Sequence, residues 1–222
     1  RVGTSGPMTV NVELRYSTNG GASYDSLINN TTAASALSYN WNPIPNAIGI
    51  DRRVKVALVN DTTISDTSDA NFTIKGQLRN VVPNGAETLI VGGTQSITWA
   101  TDGTVAQVNL FYSTDGGLTY PPTPNIAGPI SNVGAYSWTI PDAIGTQLRV
   151  KVVNNADSTV FDESDANFTI KGSLTVTSPN GTEVWIVGEN RNITWTKTGT
   201  LSGNVKLVYS TDGGVTYPEV TP

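Results

Sequence analysis

Carboxylates are the side chains in this sequence with the clearest capacity for chemistry. They cluster twice, between residues 61 and 69 and again between residues 157 and 165, and the members are Asp61, Asp66, Asp69, Asp157, Asp162, Glu163 and Asp165. Calcium prefers carboxylate and carbonyl oxygens. We therefore consider calcium ligands in both loops, Asp66 and Asp69 in one repeat and Asp162, Glu163 and Asp165 in the next. The spacing is not that of an EF-hand, and the same residues could instead cap turns.

Enzyme chemistry is disfavoured by the residue types that are missing. The sequence has no His and no Cys. A Ser-His-Asp triad is therefore excluded, and disulfides and zinc or copper sites lose their usual ligands. Pairs of carboxylates cannot be placed in a shared cleft from the sequence. We predict that the chain is not an enzyme, and calcium is the one cofactor left open.

N-glycosylation acceptors form a second set of candidate modification sites. The Asn-x-Ser/Thr pattern predicts acceptors at Asn71, Asn167, Asn192, Asn60 and Asn30. Asn71, Asn167 and Asn192 each precede an apolar residue in an alternating stretch, so we expect them to point outward. Such patterns also arise by chance in a chain rich in Asn and Thr.

A turn signal of nine residues occurs three times, beginning at Tyr16, Tyr112 and Tyr209. Each copy carries Asp-Gly-Gly or Asn-Gly-Gly, where a tight turn needs positive φ. Two copies follow the pattern Ser-x-Asp-x-Gly-x-Thr, at Ser113, Asp115, Gly117 and Thr119 and at Ser210, Asp212, Gly214 and Thr216. This pattern resembles the Asp-box of sialidases and related propellers. The resemblance implies a hairpin whose Asp caps the turn backbone, a structural role.

The same spacing divides the chain into three repeats. The three turns are 96 and 97 residues apart, and the nine residues from Ser68 are identical to the nine from Ser164. We predict modules at 1–76, 77–172 and 173–222, of which only 77–172 is complete. The first is expected to lack its first strands and the third to contain only its N-terminal part, as in a segment of a longer array. An alternative is that neighbouring copies donate strands to each other.

Alternating apolar residues in the middle repeat predict seven or so short strands and no helix. Strands are expected at 78–82, 88–91, 94–100, 106–113, 134–140, 147–153 and 167–171, with a return strand at 118–120 after the turn. Inward residues include Ile97, Trp99, Leu148, Phe168 and Ile170. The fold class predicted is all-β, a tandem array of immunoglobulin-like antiparallel β-sandwiches.

Tryptophans allow two interpretations. Trp99, Trp138, Trp185 and Trp195 could stack on sugars, as in an adhesin or a carbohydrate-binding module. Ile97 shares a face with Trp99 and Ile193 shares one with Trp195, which favours core packing. Trp185 stands where the middle repeat has Leu89, so this position could be partly exposed.

Composition disfavours nucleic-acid binding and a membrane span. Charged residues make up 14% of the chain and the net charge is −5. The Lys and Arg residues are scattered, which disfavours nucleic-acid binding because phosphate contacts need a concentrated basic patch. No apolar stretch approaches the length of about 20 residues that a membrane span needs.

The full set of motifs resembles a known type of module. The set runs from Pro-Asn-Gly-x-Glu through Ile-Thr-Trp, Tyr-Ser-Thr-Asp-Gly-Gly, Tyr-x-Trp and Arg-Val-Lys-Val to Ser-Asp-Ala-Asn-Phe-Thr-Ile. It is similar to the immunoglobulin-like repeats of large bacterial and archaeal surface or secreted proteins, and to the fungal KNH-like cell-wall domain. The resemblance implies an extracellular, non-catalytic module present in many copies.

These observations predict a structural repeat protein of the cell surface or extracellular space. It would form the shaft of a filament, stalk, sheath or surface layer, with other copies, neighbouring repeats or glycans as partners. Very short linkers, Lys75-Gly76-Gln77 and Lys171-Gly172-Ser173, favour a rod. The alternatives are an adhesin or carbohydrate-binding module, and an accessory region of a larger secreted enzyme.

Overall fold

The strands of this chain are short and follow the alternation of apolar and polar residues. A computed structural model describes residues 10–218. Its strands are β1 (Asn11–Ser17), β2 (Ser26–Ala33), β3 (Gly49–Leu58), β4 (Ser65–Thr67), β5 (Phe72–Ile74), β6 (Gln77–Val82), β7 (Thr88–Ile90), β8 (Thr94–Asp102), β9 (Gln107–Ser113), β10 (Ala127–Ser131), β11 (Ala135–Thr139), β12 (Gly145–Asn154), β13 (Phe161–Glu163), β14 (Phe168–Lys171), β15 (Ser173–Ser178) and β16 (Thr194–Thr198). The described chain is all-β, and its helical content is one 3-10 turn, Ala34–Ala36. None of its helices could cross a membrane.

The middle repeat forms two sheets that face each other in a sandwich-like arrangement. One sheet has the order β10-β9-β12-β14-β7, with β13 also paired to β12, and the other has the order β11-β8-β6. The pairings are antiparallel except for β14 with β7, which is parallel. One apolar core joins the two sheets, because Ile97 and Trp99 of β8 cluster with Leu110 of β9 and with Phe168 of β14. The predicted inward residues are therefore buried as expected.

The predicted return strand at 118–120 is wrong. Residues 118–120 form no strand, Leu118 is 86% exposed, and β9 pairs instead with β10. The prolines at 121, 122 and 124 follow this stretch and have no N–H to donate to a sheet ladder. The chain therefore runs through a loop before it returns at Ala127.

The first repeat contributes one sheet between residues 10 and 76. Its order is β2-β1-β3-β4, and β5 also pairs with β3. Val12, Leu14, Val54 and Val56 occupy the positions of Val108, Leu110, Val150 and Val152, which are buried in the middle repeat. Here they line an open groove of about 370 Å³ together with Trp41. Within the described residues, no second sheet lies over this groove.

The third repeat contributes a two-stranded sheet, β15 with β16. These strands occupy the positions of β6 and β8. Trp195 was predicted to lie in a core, but it is 39% exposed and Trp185 is 41% exposed. Both side chains are exposed because, between residues 173 and 218, no second sheet packs against β15 and β16.

Candidate functional site

The contacts between consecutive repeats are the first candidate site. β5 ends at Ile74 and β6 begins at Gln77, while β14 ends at Lys171 and β15 begins at Ser173. These intervals are too short for a flexible spacer. In each repeat, the loop before the longest strand contacts the following repeat. These loops are residues 45–48 before β3 and residues 141–144 before β12.

At the first junction, formed by Asn46, Ile48, Gly103 and Thr104, an amide side chain pairs with a loop. Asn46 Nδ2 donates to Thr104 Oγ1 at 2.7 Å, and Thr104 N donates to Asn46 Oδ1 at 3.0 Å. Gly103 has φ of +78°, and a Cβ built there would lie 3.1 Å from Ile48 Cδ1. The glycine thus provides both the backbone conformation and the space that the close approach requires.

At the second junction, formed by Asp142, Ile144, Gly199 and Thr200, the same positions meet 96 residues later. Thr200 N donates to Asp142 Oδ2 at 2.8 Å, and Thr200 Oγ1 donates to the same oxygen at 2.5 Å. Gly199 has φ of +80°, and a Cβ there would lie 3.1 Å from Ile144 Cδ1. The hydrogen bonds from Thr200 lower the pKa of Asp142 below its ordinary value.

The linker glycines belong to the same contacts. A Cβ at Gly76 would lie 3.1 Å from Asp102 O and from Val105 Cγ2, and a Cβ at Gly172 would lie 2.5 Å from Thr198 O. The linker backbone therefore packs closely on the strand end of the following repeat at both junctions.

Two further interactions belong to the first junction. Lys75 Nζ lies 3.1 Å from Asp157 Oδ2 and donates to Thr159 Oγ1. Hydrogen bonds from Thr159, together with Lys75, lower the pKa of Asp157. Arg52 is 8% exposed and donates to the backbone carbonyls of Ala47 and Ile48, so it braces the loop that carries Asn46. The middle repeat has Leu148 at this position.

Sequence reasoning missed the junctions, although the signal was present. Pro-Asn-Ala-Ile-Gly begins at Pro45 and Pro-Asp-Ala-Ile-Gly begins at Pro141, while Gly-Thr occurs at 103–104 and 199–200. The matched spacing of two patterns in successive repeats was the available clue.

The repeated turns are held by their own side chains. Ser113 Oγ accepts from Gly117 N at 3.0 Å, and Asp115 Oδ1 accepts from Thr119 N at 3.0 Å. The corresponding bonds of the third repeat, Gly214 N to Ser210 Oγ and Thr216 N to Asp212 Oδ1, measure 2.8 and 2.9 Å. Both glycines of every turn have positive φ, as predicted from their sequence.

Hydrogen bonds to these aspartates change their titration. Donation by Ser113, and then by Thr119, lowers the pKa of Asp115 from 3.8 to about 2. Donation by Ser210 and Thr216 likewise lowers the pKa of Asp212. In the first repeat Asn19 replaces Asp and accepts from Ser17 Oγ at 2.7 Å and from Ser23 N at 3.0 Å. The turn is therefore built with either a carboxylate or an amide.

The candidate calcium residues lie in other arrangements. Asp162 Oδ2 accepts from Val81 N at 3.0 Å, and Lys151 Nζ lies 3.8 Å from Glu163 Oε2 and 3.8 Å from the centre of the Phe161 ring. Asp66 and Asp69 lie in and beside β4 of the first repeat. Across residues 10–218, no group of three or more acidic, His or Cys side chains is placed to hold a metal ion.

Asp165 belongs to a contact that we call the latch, formed by Pro83, Asn84, Ser164 and Asp165. Ser164 Oγ donates to Pro83 O at 2.6 Å, Asn84 Nδ2 donates to Asp165 Oδ2 at 2.7 Å, and Asp165 N donates to Asn84 Oδ1 at 2.6 Å. Ser164 also accepts from Val150 N at 3.0 Å and is fully buried. The latch joins the turn that follows β6 to the loop that precedes β14.

The candidate glycosylation sites are exposed, and the set comprises Asn30, Asn60, Asn71, Asn167 and Asn192. Two of them share a repeated contact: Arg53 Nε donates to Asn71 Oδ1, and Arg149 Nε donates to Asn167 Oδ1, at 2.8 Å in each case. In each of these two contacts the amide oxygen is the acceptor. The structure therefore leaves these side chains at the surface, where a modifying enzyme could reach them.

Comparison with protein-family models and with curated proteins found no match for this chain.

Proposed function

We propose that the chain is a structural, extracellular array of immunoglobulin-like β-sandwiches that forms the shaft of a filament, stalk, sheath or surface layer. The observation that carries the proposal is the recurrence of one junction. The pairs Asn46 with Thr104 and Asp142 with Thr200 make equivalent hydrogen bonds 96 residues apart. A contact that recurs in register would give each repeat the same placement on the next.

The mechanism is mechanical. Each junction combines hydrogen bonds, an isoleucine packed on a glycine, and a linker of two or fewer residues between strands. Flexible spacers would let neighbouring repeats rotate independently, whereas these contacts oppose that rotation. The array would thus transmit orientation and tension along its length, and the exposed Asn, Ser and Thr side chains would keep it soluble or carry glycans.

Sugar binding by tryptophan is less well supported. In the middle repeat Trp99 is 6% exposed and Trp138 is 4% exposed. A stacking platform needs an open aromatic face. Trp99 Nε1 also donates to Asn132 Oδ1 at 2.7 Å, which uses its one polar group internally.

Junction stiffness can be measured within a single chain. The absence of Cys permits spin labelling at Thr62→Cys in the first repeat and Val133→Cys in the middle repeat, both of which are exposed. Electron–electron double resonance should give one narrow distance distribution. The Asn46→Ala, Ile48→Ala double variant should broaden it, and six Gly and Ser residues inserted after Gly76 supply the flexible control.

A distribution as broad in the unmodified junction as in the flexible control would refute the rod. The extracellular assignment has a separate test, which is immunogold labelling of source cells. Gold on surface filaments or layers would support it, and gold confined to the cell interior would contradict it.

A further inference from the structure

The outer face of the β1–β3 sheet carries a small polar pocket. Its strand residues alternate with the apolar residues of the groove, so the pocket lies on the opposite face of the sheet. The pocket has a volume of about 210 Å³ and is lined by Glu13, Arg15, Tyr24, Lys55, Ala57 and Thr62. Each of these positions has a counterpart 96 residues later, on the same face of the middle repeat, which allows a direct comparison.

In the middle repeat the corresponding place is filled, and its lysine has partners. Lys151 Nζ lies 3.8 Å from the centre of the Phe161 ring and 5.0 Å from that of Tyr120. It also lies 3.8 Å from Glu163 Oε2. Val153 stands opposite Phe161 in the sheet and has a larger side chain than Ala at the matching position. The ammonium group is therefore attracted by two aromatic rings and a carboxylate of its own repeat.

In the first repeat the lysine has lost these partners. Ser65 stands at the position of Phe161, and the pairing of Lys55 with Thr67 replaces a pairing of lysine with glutamate. Within residues 10–218, Lys55 makes no ion pair and no hydrogen bond. Lys55 is also half-buried. A partly desolvated ammonium group without a counter-charge is unfavourable, so the pocket favours an anion at this position.

The other charges of the pocket are paired with each other. Arg15 Nε donates to Glu13 Oε1 at 2.5 Å, and Arg15 Nη1 donates to Asp25 O at 3.2 Å. Hydrogen bonding by Arg15 lowers the pKa of Glu13, and the charge of Lys55 acts in the same direction, so Glu13 is ionised. A carboxylate has about four acceptor sites. Glu13 can therefore accept from a ligand hydroxyl while it remains paired with Arg15.

We propose that this pocket binds a small hydroxylated carboxylate of the uronic-acid type. Lys55 donates to the carboxylate of the ligand, and Glu13 accepts from its hydroxyl groups. Tyr24 offers an aromatic wall, and the exposed Thr62 offers a further hydroxyl. The pocket is smaller than the ~300–1,000 Å³ sites that take drug-sized ligands, so it holds one sugar unit. Binding of this kind adds to the mechanical function and does not depend on it.

Titration of the whole chain with glucuronate, followed by amide NMR, tests this site. We expect saturable shifts at the amides of Lys55 and Thr62. Lys55→Gln removes a charge-assisted hydrogen bond and should weaken binding at least about tenfold. Lys151→Gln is the matched control: its lysine is already partnered, so this variant should bind glucuronate as the unmodified chain does.

A second variant fills the pocket without removing the lysine. Ser65→Phe introduces the residue of the middle repeat, whose ring would cover Lys55 as Phe161 covers Lys151, and it should weaken binding at least about tenfold. Ser65 is exposed, so the variant should fold, which the unchanged amide resonances of the middle repeat can verify. Ser65→Ala is its control and should leave binding unchanged.

Three further probes distinguish the ligand class. Glucose lacks the carboxylate and acetate lacks the hydroxyl groups, so both should bind more weakly than glucuronate. Equal binding of either one would overturn the proposal. Tighter binding of N-acetylglutamate amide would assign the pocket to an acidic protein segment and would also overturn it. The same holds if glucuronate causes no saturable shift at Lys55 and Thr62, or if the shift persists in Lys55→Gln and Ser65→Phe.

Discussion

The middle repeat and its two neighbours contain the same apolar residues in different surroundings. Ile97 and Val152 are fully buried in the middle repeat, while their counterparts Ile193 and Val56 are each 41% exposed. The alternation of residues decides which face of a strand is apolar. Whether that face becomes a core depends on a second sheet, so the burial of a residue is a property of the assembled repeat.

The largest expected difference concerns paired core substitutions. Ile97→Ala should destabilise the middle repeat by about 2–5 kcal/mol, because it removes methylene groups from a closed core and leaves a cavity. Ile193→Ala, at the same position of an open sheet, should change stability by less than about 0.5 kcal/mol. Urea unfolding followed by tryptophan fluorescence measures both, and equal losses would contradict the contrast between closed and open cores.

A smaller difference should come from the latch serine. Ser164→Ala should cost about 1–3 kcal/mol, because it leaves the carbonyl of Pro83 and the amide of Val150 buried without their partner. Ser68→Ala removes the equivalent hydroxyl from the first repeat. Within residues 10–76, that hydroxyl donates to no carbonyl of a second sheet. Its cost should be lower, and the difference between the two values isolates the bond between sheets. A cost for Ser68→Ala equal to that for Ser164→Ala would show that this bond contributes nothing.

The two junctions should respond differently to a fall in pH, because one has Asp142 at the position where the other has Asn46. In the folded chain the pKa of Asp142 lies below 3.8. Its contribution to stability is therefore complete above the unfolded value and is lost as the pH falls through the folded pKa. The amide resonance of Thr200 should shift in this range while that of Thr104 stays constant. In Asp142→Asn the Thr200 shift should disappear, and its persistence would assign the titration to another group.

The smallest effect is expected at the turns. Asp115→Asn reproduces the residue that the first repeat already has at Asn19, so the protection of the Thr119 amide against hydrogen exchange should hardly change. Asp115→Ala removes the acceptor and should lower that protection clearly. Hydrogen bonding lowers the pKa of Asp115 from 3.8 to about 2. The protection of the Thr119 amide should therefore be complete above pH 3.8 and decrease only as the pH drops through about 2. Equal loss of protection in the two variants would show that the carboxylate charge is required.

Much of the fold followed from local patterns. Alternation placed β8, β12 and β14 and their inward residues, and the glycines predicted the positive-φ turns, because both signals depend on neighbouring residues. The paired strand after the turn was misplaced by about nine residues, since prolines delay it until Ala127. The exposure of Trp195 could not be predicted from its own stretch, because it depends on a distant sheet.

The candidate site was harder to predict than the fold. Turn residues such as Ser113 and Asp115 contact each other over four residues or fewer, so their motif shows their role. The junction joins Asn46 to Thr104 over 58 residues, and the latch joins Asn84 to Asp165 over 81. The sequence of a single repeat does not indicate which distant residues will contact each other. Only the matched spacing of the motifs in successive repeats indicated these contacts. The buried Arg52 gave no sign at all beyond replacing a leucine.

The latch also has a consequence for the order in which a repeat is synthesised. Its first half lies at the beginning of the repeat and its second half near the end, 81 residues later. A nascent middle repeat therefore cannot close until almost all of it has left the ribosome, and contacts between residues so far apart in sequence form slowly. Meanwhile the identical stretch beginning at Ser68 has already emerged and can compete for the turn at Pro83. The Ser68 stretch and the Ser164 stretch are thus two possible partners for this turn during translation, and the stiffness proposed for the junction formed by Asn46 and Thr104 would disfavour the wrong one.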